Sequence, residues 1–366
     1  MKITKFEIFR YDLPLLTSVQ INDIELRNRS GLVIIISDQQ GYSGAGEIAP
    51  LPGLHKENLD DVIMYAKVIK HFFEGLEIPA QLERLENGFE SWIGKKAAFP
   101  SVRFGLEMAI LNLLAERSNQ SSGKMLSLGS QESIEINGLV FGEKDEIFGV
   151  ARNLVREGYG VIKMKVGRKS ADQEIQIVEE LREIINGRAQ LRLDANRRWS
   201  FADAIRFAKS VGPEYIEYIE EPVEDLRQLD EFFNQTGMPI ALDESLDEQR
   251  LDQLEGFGGL KAVVIKPSLI GGFERSMRLI RHAKARGIFP VISSAFESGL
   301  GLSALANFAA SLNPGNAAMG LDTYRWFKRD LLQTRFETAK GKLNVESAYQ
   351  RGKKINYSLL SSITNN

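Results

Sequence analysis

The chain has 366 residues, 43% hydrophobic and 26% charged; that excludes a disordered chain and exceeds one compact domain, suiting a barrel plus a smaller partner. A formal net charge of −3 excludes a global pull toward nucleic acid or an anionic membrane. With no cysteine there is no disulfide framework, thiolate metal site or cysteine nucleophile. The start, MKITKFEIFRYDLPLL, alternates polar and apolar residues, unlike a secretion signal, and no apolar run is long enough to span a bilayer. A cytoplasmic protein with no nucleic-acid or membrane partner is expected, and nothing fixes its oligomeric state.

Residues 2–49 carry strand and turn signals. Phe6, Ile8 and Arg10 share one strand face, 32–36 is a β-branched run, and a turn cluster at 38–41 precedes a strand at 42–48. Residues 15–27 read as a long connection. A helical pattern follows over 56–74, which makes this segment a small α+β domain. Val102, Leu106, Ala109 and Leu113 then recur at helical spacing among apolar neighbours, predicting a buried helix. From Ser133 onward short apolar strands alternate with amphipathic helices. The strand candidates are 134–140, 161–166, 190–195, 215–220, 240–243, 262–266, 289–293 and 319–322, with one helix showing its inner stripe at Phe273, Met277, Ile280 and Ala283. Strands in βα rhythm predict a parallel barrel, because parallel strands need crossover helices. The expected units are a capping domain over 1–98, a barrel over 99–325, and a polar, irregular tail over 326–366 that packs back on the cap.

Five consecutive strand candidates end on charge: Lys163 and Lys165 in VIKMKVG, Asp194 in LRLDAN, Glu220 in YIEEP, Asp243 in ALDES, Lys266 in VIKPS. From Lys165 on they are spaced by about one strand–helix unit, so they converge on the barrel's C-terminal mouth, where such folds do chemistry. Three acids on adjacent strands repel unless a cation lies among them. Oxygen donors without histidine or thiolate favour Mg²⁺. Neutralising one acid is then expected to stabilise the metal-free fold. Lys163 and Lys165, two apart, point to the same side. A neighbouring ammonium, burial and a nearby cation are expected to lower a lysine from about 10.4 toward the range of a base. Together these residues suit removal of a proton beside a carboxylate, with metal and lysine charge neutralising the enediolate that results.

The pattern KxK at 163–165, DxN at 194–196, EEP at 220–222, DES at 243–245 and KP at 266–267 resembles the enolase superfamily, muconate-cycloisomerase branch, over nearly the whole chain. The resemblance implies an α/β fold, a modified TIM-type (β/α)7β barrel with an α+β capping domain. It implies Lys165 as the base, Lys266 as the opposing lysine, Lys163 as a further catalytic lysine, and Asp194, Glu220 and Asp243 as Mg²⁺ ligands, with Glu220 preferred over Glu221. Within that branch GEIAPLPGL (46–54), LRLDANRRW (191–199), VVIKPSLIGG (263–272), VISSAFESGLGL (291–302) and GLDT (320–323) are similar to the o-succinylbenzoate synthase family. That family carries out a syn dehydration of a small cyclohexadiene carboxylate. Arg192, Asn196, Ser293 and Gly320 become the substrate-binding candidates, and segments 16–21 and 50–54 the capping loops. His55, His71 and His282 show no metal spacing and read as surface or structural. Relatives that racemise N-succinylamino acids or epimerise dipeptides share the same charged residues and form the alternative. A catalytically silent barrel is the reading from another class.

Overall fold

A computed structural model describes residues 1–82, 85, 88–94, 99–246 and 257–363. The expected domain boundary at 98 and 99 falls beside residues 95–98, outside the described residues. β1 (Ile3–Ile21), β2 (Ile24–Asp38) and β3 (Ser43–Ile48) form an antiparallel sheet. The segment 15–27 is a hairpin tip rather than a long connection. Val19, Gln20 and Ile21 pair with Leu26, Glu25 and Ile24, after a register shift between Pro14 and Val19. Proline has no N–H for the ladder, and four residues of β1 are accommodated beside one of β2, so the tip bends away from the sheet's own axis. The strand face also changes along β1: Phe6 and Ile8 are buried, Arg10 is exposed, and Tyr11 and Leu13 take over the buried side.

The helix Pro100–Ser118 lies directly on β3. A side chain at Gly44 would stand 2.1 Å from the Ala109 carbonyl, and one at Gly46 would stand 2.0 Å from that of Gly105. The two glycines therefore set how close the helix comes, and with it the path of residues 49–54 toward the barrel.

The barrel sheet has seven parallel strands, β5 (Gly138–Val140), β6 (Val161–Lys165), β7 (Gln190–Asp194), β8 (Ile216–Glu220), β9 (Ile240–Leu242), β10 (Leu260–Ile265) and β11 (Phe289–Ile292). Its two edges meet through single parallel bridges, Met319 to Ile136 and Gly320 to Ser293. The eighth strand expected over 319–322 is thus reduced to two bridging residues, and Asp322 already starts a 3₁₀ helix, Asp322–Trp326. The first candidate, 134–140, is split at Asn137. β4 (Ser133–Glu135) pairs antiparallel with β13 (Lys342–Asn344), while β5 enters the barrel. The tail is ordered rather than irregular. β12 (Thr338–Ala339) and β13 form a hairpin, the helix Val345–Gly352 packs on the helix Gly299–Ser311, and β14 (Ser361–Ser362) joins β1 of the cap. Among the described residues no helix is long and apolar enough to cross a membrane.

Candidate active site

The parallel register puts Lys165 beside Asp194 and Asp194 beside Glu220, all on the last residues of their strands. Asp243 and Lys266 follow directly on β9 and β10. Apolar residues of the opposite parity fill the barrel wall, so these charged residues share the interior side of the strand ends. Lys163 Nζ donates to both oxygens of Glu220, at 2.8 and 2.6 Å, and lies 2.8 Å from Asp194 Oδ2. Lys165 donates to Asp194 Oδ2 at 2.6 Å and to Asn196 Oδ1 at 2.8 Å. Asn196 in turn donates to Glu244 Oε1 at 2.7 Å, and Lys266 is ion-paired with Asp243.

At Lys163 and Lys266 the electrostatics run opposite to the lowering expected of a strand-end lysine. Burial by itself would lower Lys163, but the charges of Asp194, Glu220 and Asp243 outweigh it and hold the ammonium well above its ordinary value. Lys266 is raised in the same way, burial being overcome chiefly by Asp243. The lysines are interleaved with acids rather than stacked against each other, and contact with a carboxylate dominates. Glu220 is pushed well above its ordinary value by burial, then by the charges of Asp194 and Asp243.

Three buried carboxylates on successive strands, one of them driven up by the other two, suit a divalent cation held by oxygen alone. Among the described residues the acids are not drawn into a single cage; Lys163 stands between Asp194 and Glu220, and Lys266 takes Asp243. Glu221 turns away from this cluster. Its carboxylate accepts the Asp243 and Ser245 backbone N–H groups, both at 2.8 Å, and burial pushes it up to about 7.

A cleft of about 710 Å³, open mouth included, lies over the strand ends. Lys163, Lys165, Lys266, Ser293 and Gly320 line it from the barrel. Val19, Gln20 and Ile21 at the hairpin tip and Leu51 and Leu54 close it from the cap. Residues 16–21 therefore end a strand instead of forming a loop, although their tip covers the cleft. A larger groove of about 1770 Å³ by the same measure, near Arg152 and Trp326, holds none of the strand-end charges. Ser293 and Gly320 face each other so closely that a side chain at 320 would meet Ser293 Oγ at 2.5 Å.

Arg192 is not brought to the cleft. Two residues below Asp194, it fills the next layer of the barrel, 1% exposed, donating to Glu217 at 2.8 Å and to the Ala318 carbonyl at 2.7 Å above the Tyr218 ring. Inward parity is common to both layers, and only depth separates them.

Arg29 and Arg168 were not singled out by sequence. Arg29 is 1% exposed and donates to the carbonyls of Ala49, Pro50, Ala295 and Phe296, tying the cap to both loops over the cleft. Phe296 adopts φ +58°, a strained state for a buried aromatic residue, with its carbonyl held by Arg29. His55 is a latch: Nδ1 accepts the Leu51 N–H at 2.8 Å, and Nε2 meets the Ser268 carbonyl at 3.1 Å. These two bonds require the neutral ring with the proton on Nε2. Arg168 stands three residues past Lys165, close enough in sequence to have been considered with it.

Residues 149–349 match the family described as Enolase C-terminal domain-like, and residues 3–113 match MenC, N-terminal domain. An o-succinylbenzoate synthase from Vibrio cholerae serotype O1 is 36% identical over 330 residues, 88% of this chain and 90% of that one. One from Yersinia enterocolitica is 38% identical over 320 residues, 86% of this chain and 89% of the other. Protein PHYLLO, chloroplastic, from Arabidopsis thaliana is 36% identical over 367 residues; these span 91% of this chain but only 21% of that longer protein. Among solved structures, a muconate lactonizing enzyme from Pseudomonas fluorescens superposes with TM-score 0.83 at 19% identity, over 94% of each chain. A dipeptide epimerase from Enterococcus faecalis, complexed with Mg and a dipeptide, gives 0.83 at 22% identity, over 94% of this chain and 97% of that one. At these identities the structures speak for the fold.

Proposed function

The chain belongs to the o-succinylbenzoate synthase family of the enolase superfamily, and on that footing we propose that it catalyses the Mg²⁺-dependent syn dehydration of 2-succinyl-6-hydroxy-2,4-cyclohexadiene-1-carboxylate to 2-succinylbenzoate in menaquinone biosynthesis. The observation that carries this reading is the in-register row Lys165, Asp194, Glu220 at the strand ends, continued by Asp243 and Lys266.

Asp194, Glu220 and Asp243 would hold Mg²⁺, which when bound supplies positive charge to the substrate carboxylate as the neighbouring C–H is broken. Lys165 takes the proton from the ring carbon. The same ammonium returns it to the hydroxyl that leaves, so water departs, the carbon–oxygen bond breaks and the ring becomes aromatic. Asn196, fixed by Glu244, holds the Lys165 amine in place through its 2.8 Å contact. Lys163 and Lys266 add charge to the side of the cleft where the enediolate develops. The hairpin tip and residues 50–54 exclude water from that charge.

The test is loss of the cyclohexadiene absorbance with purified enzyme, with Mg²⁺ and after exhaustive chelation. Turnover only with Mg²⁺ supports the reading; no turnover at saturating Mg²⁺ defeats the dehydration, and full turnover after chelation defeats the metal role. A second reading, racemisation or epimerisation, is favoured by one specific feature: Lys165 and Lys266 come from different strands, β6 and the end of β10, and both line the cleft. Opposed bases on two faces are what two-way proton transfer requires.

A further inference from the structure

Four cationic side chains line the cleft: Lys163, Lys165, Lys266 and Arg168. The three lysines are each ion-paired with a strand-end acid. Arg168 differs. Its guanidinium has one protein acceptor among the described residues, the Gln20 carbonyl of the hairpin tip at 3.2 Å. A guanidinium carries five N–H donors, so most of its fork is left for something else in the cleft.

The backbone beneath it is fixed. The buried carboxylate of Glu174 accepts the N–H groups of Gly167, Arg168 and Lys169 at 2.9, 2.8 and 3.1 Å. That acid is thus occupied with amides and does not contact the guanidinium. Arg198 brings a second positive charge alongside, donating to the Asn22 carbonyl of the same hairpin tip at 3.3 Å. Among the described residues neither arginine contacts a carboxylate. Burial, and then the charge of Arg198, pull Arg168 below the ordinary guanidinium value, against the opposing charges of Asp194 and Glu174. A bound anion would pair with the part of the fork that the protein leaves open.

The substrate proposed above has two carboxylates, and the strand-end cluster accounts for one. We propose that Arg168 receives the second, the terminal carboxylate of the succinyl tail, in a forked contact, and that it couples the presence of that tail to the hairpin tip it already holds. This rests on the proposed substrate class. Arg168 thereby becomes the residue that discriminates a dicarboxylate from a substrate with an uncharged tail.

The experiment compares two ligands on the Mg²⁺-loaded full chain by calorimetry: 2-succinylbenzoate, and 2-butyrylbenzoate, in which a methyl group replaces the terminal carboxylate. Arg168→Met should weaken 2-succinylbenzoate by about tenfold to a hundredfold, the size of one charge-assisted contact. The affinity for 2-butyrylbenzoate should stay within about twofold. Arg168→Lys should recover part of the lost affinity, since it keeps the charge and loses the fork. Equal weakening of both ligands means that Arg168 only anchors the hairpin, and no weakening means that the tail lies elsewhere; either overturns the proposal. Wild-type turnover of the cyclohexadiene reports separately on the proposed reaction. A wild type that binds neither ligand overturns both.

Discussion

Asp243→Asn should be the costliest replacement among the three strand-end acids in protein stripped of divalent cations, and Glu220→Gln the cheapest. The pair Lys266–Asp243 is nearly sealed, with side chains 11% and 3% exposed, and Asp243 is the one carboxylate that Lys266 contacts among the described residues. Removing it leaves a buried ammonium that must remain unpaired or give up its proton. Discharging a lysine of reference value about 10.4 at pH 7 costs roughly 4.6 kcal/mol, at about 1.36 kcal/mol per unit. That ceiling agrees with the ~3–5 kcal/mol typical of a broken buried pair. Glu220 is in the opposite position: burial and its acidic neighbours already oppose its ionisation, and Lys163 keeps Asp194 at 2.8 Å when Glu220 is neutralised. Its replacement should change stability by no more than about 1 kcal/mol, and a small gain is consistent. Urea unfolding at pH 7 in chelator, read at matched slopes, measures both. Equal losses, or an Asp243→Asn loss under about 1 kcal/mol, would show that the lysines are not set by their individual acids. On this reasoning, relief of acid–acid repulsion should stabilise the metal-free fold at Glu220 only, and the change at Asp243 should have the opposite sign.

Two further perturbations test the cleft's walls. His55 is lowered to about 4, mainly by burial; its unfolded value is about 6.5, so the unfolded state binds more protons between those limits. The latch therefore contributes its full stability above pH 6.5 and loses it as the pH falls toward 4. The change is at most about 3.4 kcal/mol, at about 1.36 kcal/mol per unit, and urea midpoints across that window should lose this slope in His55→Gln. Gly320→Ala should lower kcat/KM at least about tenfold, because its methyl group would stand 2.5 Å from Ser293 Oγ and 2.9 Å from Ser293 Cβ. Adding Ser293→Gly removes both clashing atoms, and steady-state kinetics of the double variant should show most of the loss restored.

The strand-end charges were legible because spacing, parity and charge type agree, and a parallel barrel turns those three regularities into one location. Parity, however, says nothing of depth, which is why sequence leaves Arg192 equally a substrate contact or a structural partner of the acids, and the fold places it one layer beneath Asp194, against Glu217 and the Ala318 carbonyl. Spacing is also silent about interleaving: the lysines read as mutually repelling, and only the fold shows each against an acid. The hairpin tip at 19–26 carries its own signal, the alternations Val19–Ile21 and Ile24–Leu26 around the turn pair Asn22–Asp23, but Pro14 and the irregular residues 15–18 before it make 15–27 read as one connection. Arg29 carried no local signal at all, since its acceptors are backbone carbonyls from distant parts of the chain. Chemistry held by side chains on regular elements could be read from sequence; chemistry held by carbonyls and loops could not.

The two lysines separate dehydration from racemisation. In a syn dehydration one base serves one face, so Lys165 makes both proton transfers and Lys266 contributes charge from its pairing with Asp243. Lys165→Ala should then lose about 10²–10⁴-fold or more in kcat, the usual size of a general-base contribution. Lys266→Arg keeps the charge and can fork onto Asp243, yet cannot act as a base near neutral pH. A dehydratase should retain measurable turnover of the cyclohexadiene in this variant. In a racemase each lysine serves one enantiomer, so the same change stops two-way conversion of an N-succinylamino acid. Exchange of the α-proton with solvent deuterium would then persist for one enantiomer only, through Lys165. Both variants assayed on both substrates in deuterated buffer give opposite patterns for the two activities. A Lys266→Arg protein that is folded, binds Mg²⁺ and turns over neither substrate would refute the charge-only role of Lys266.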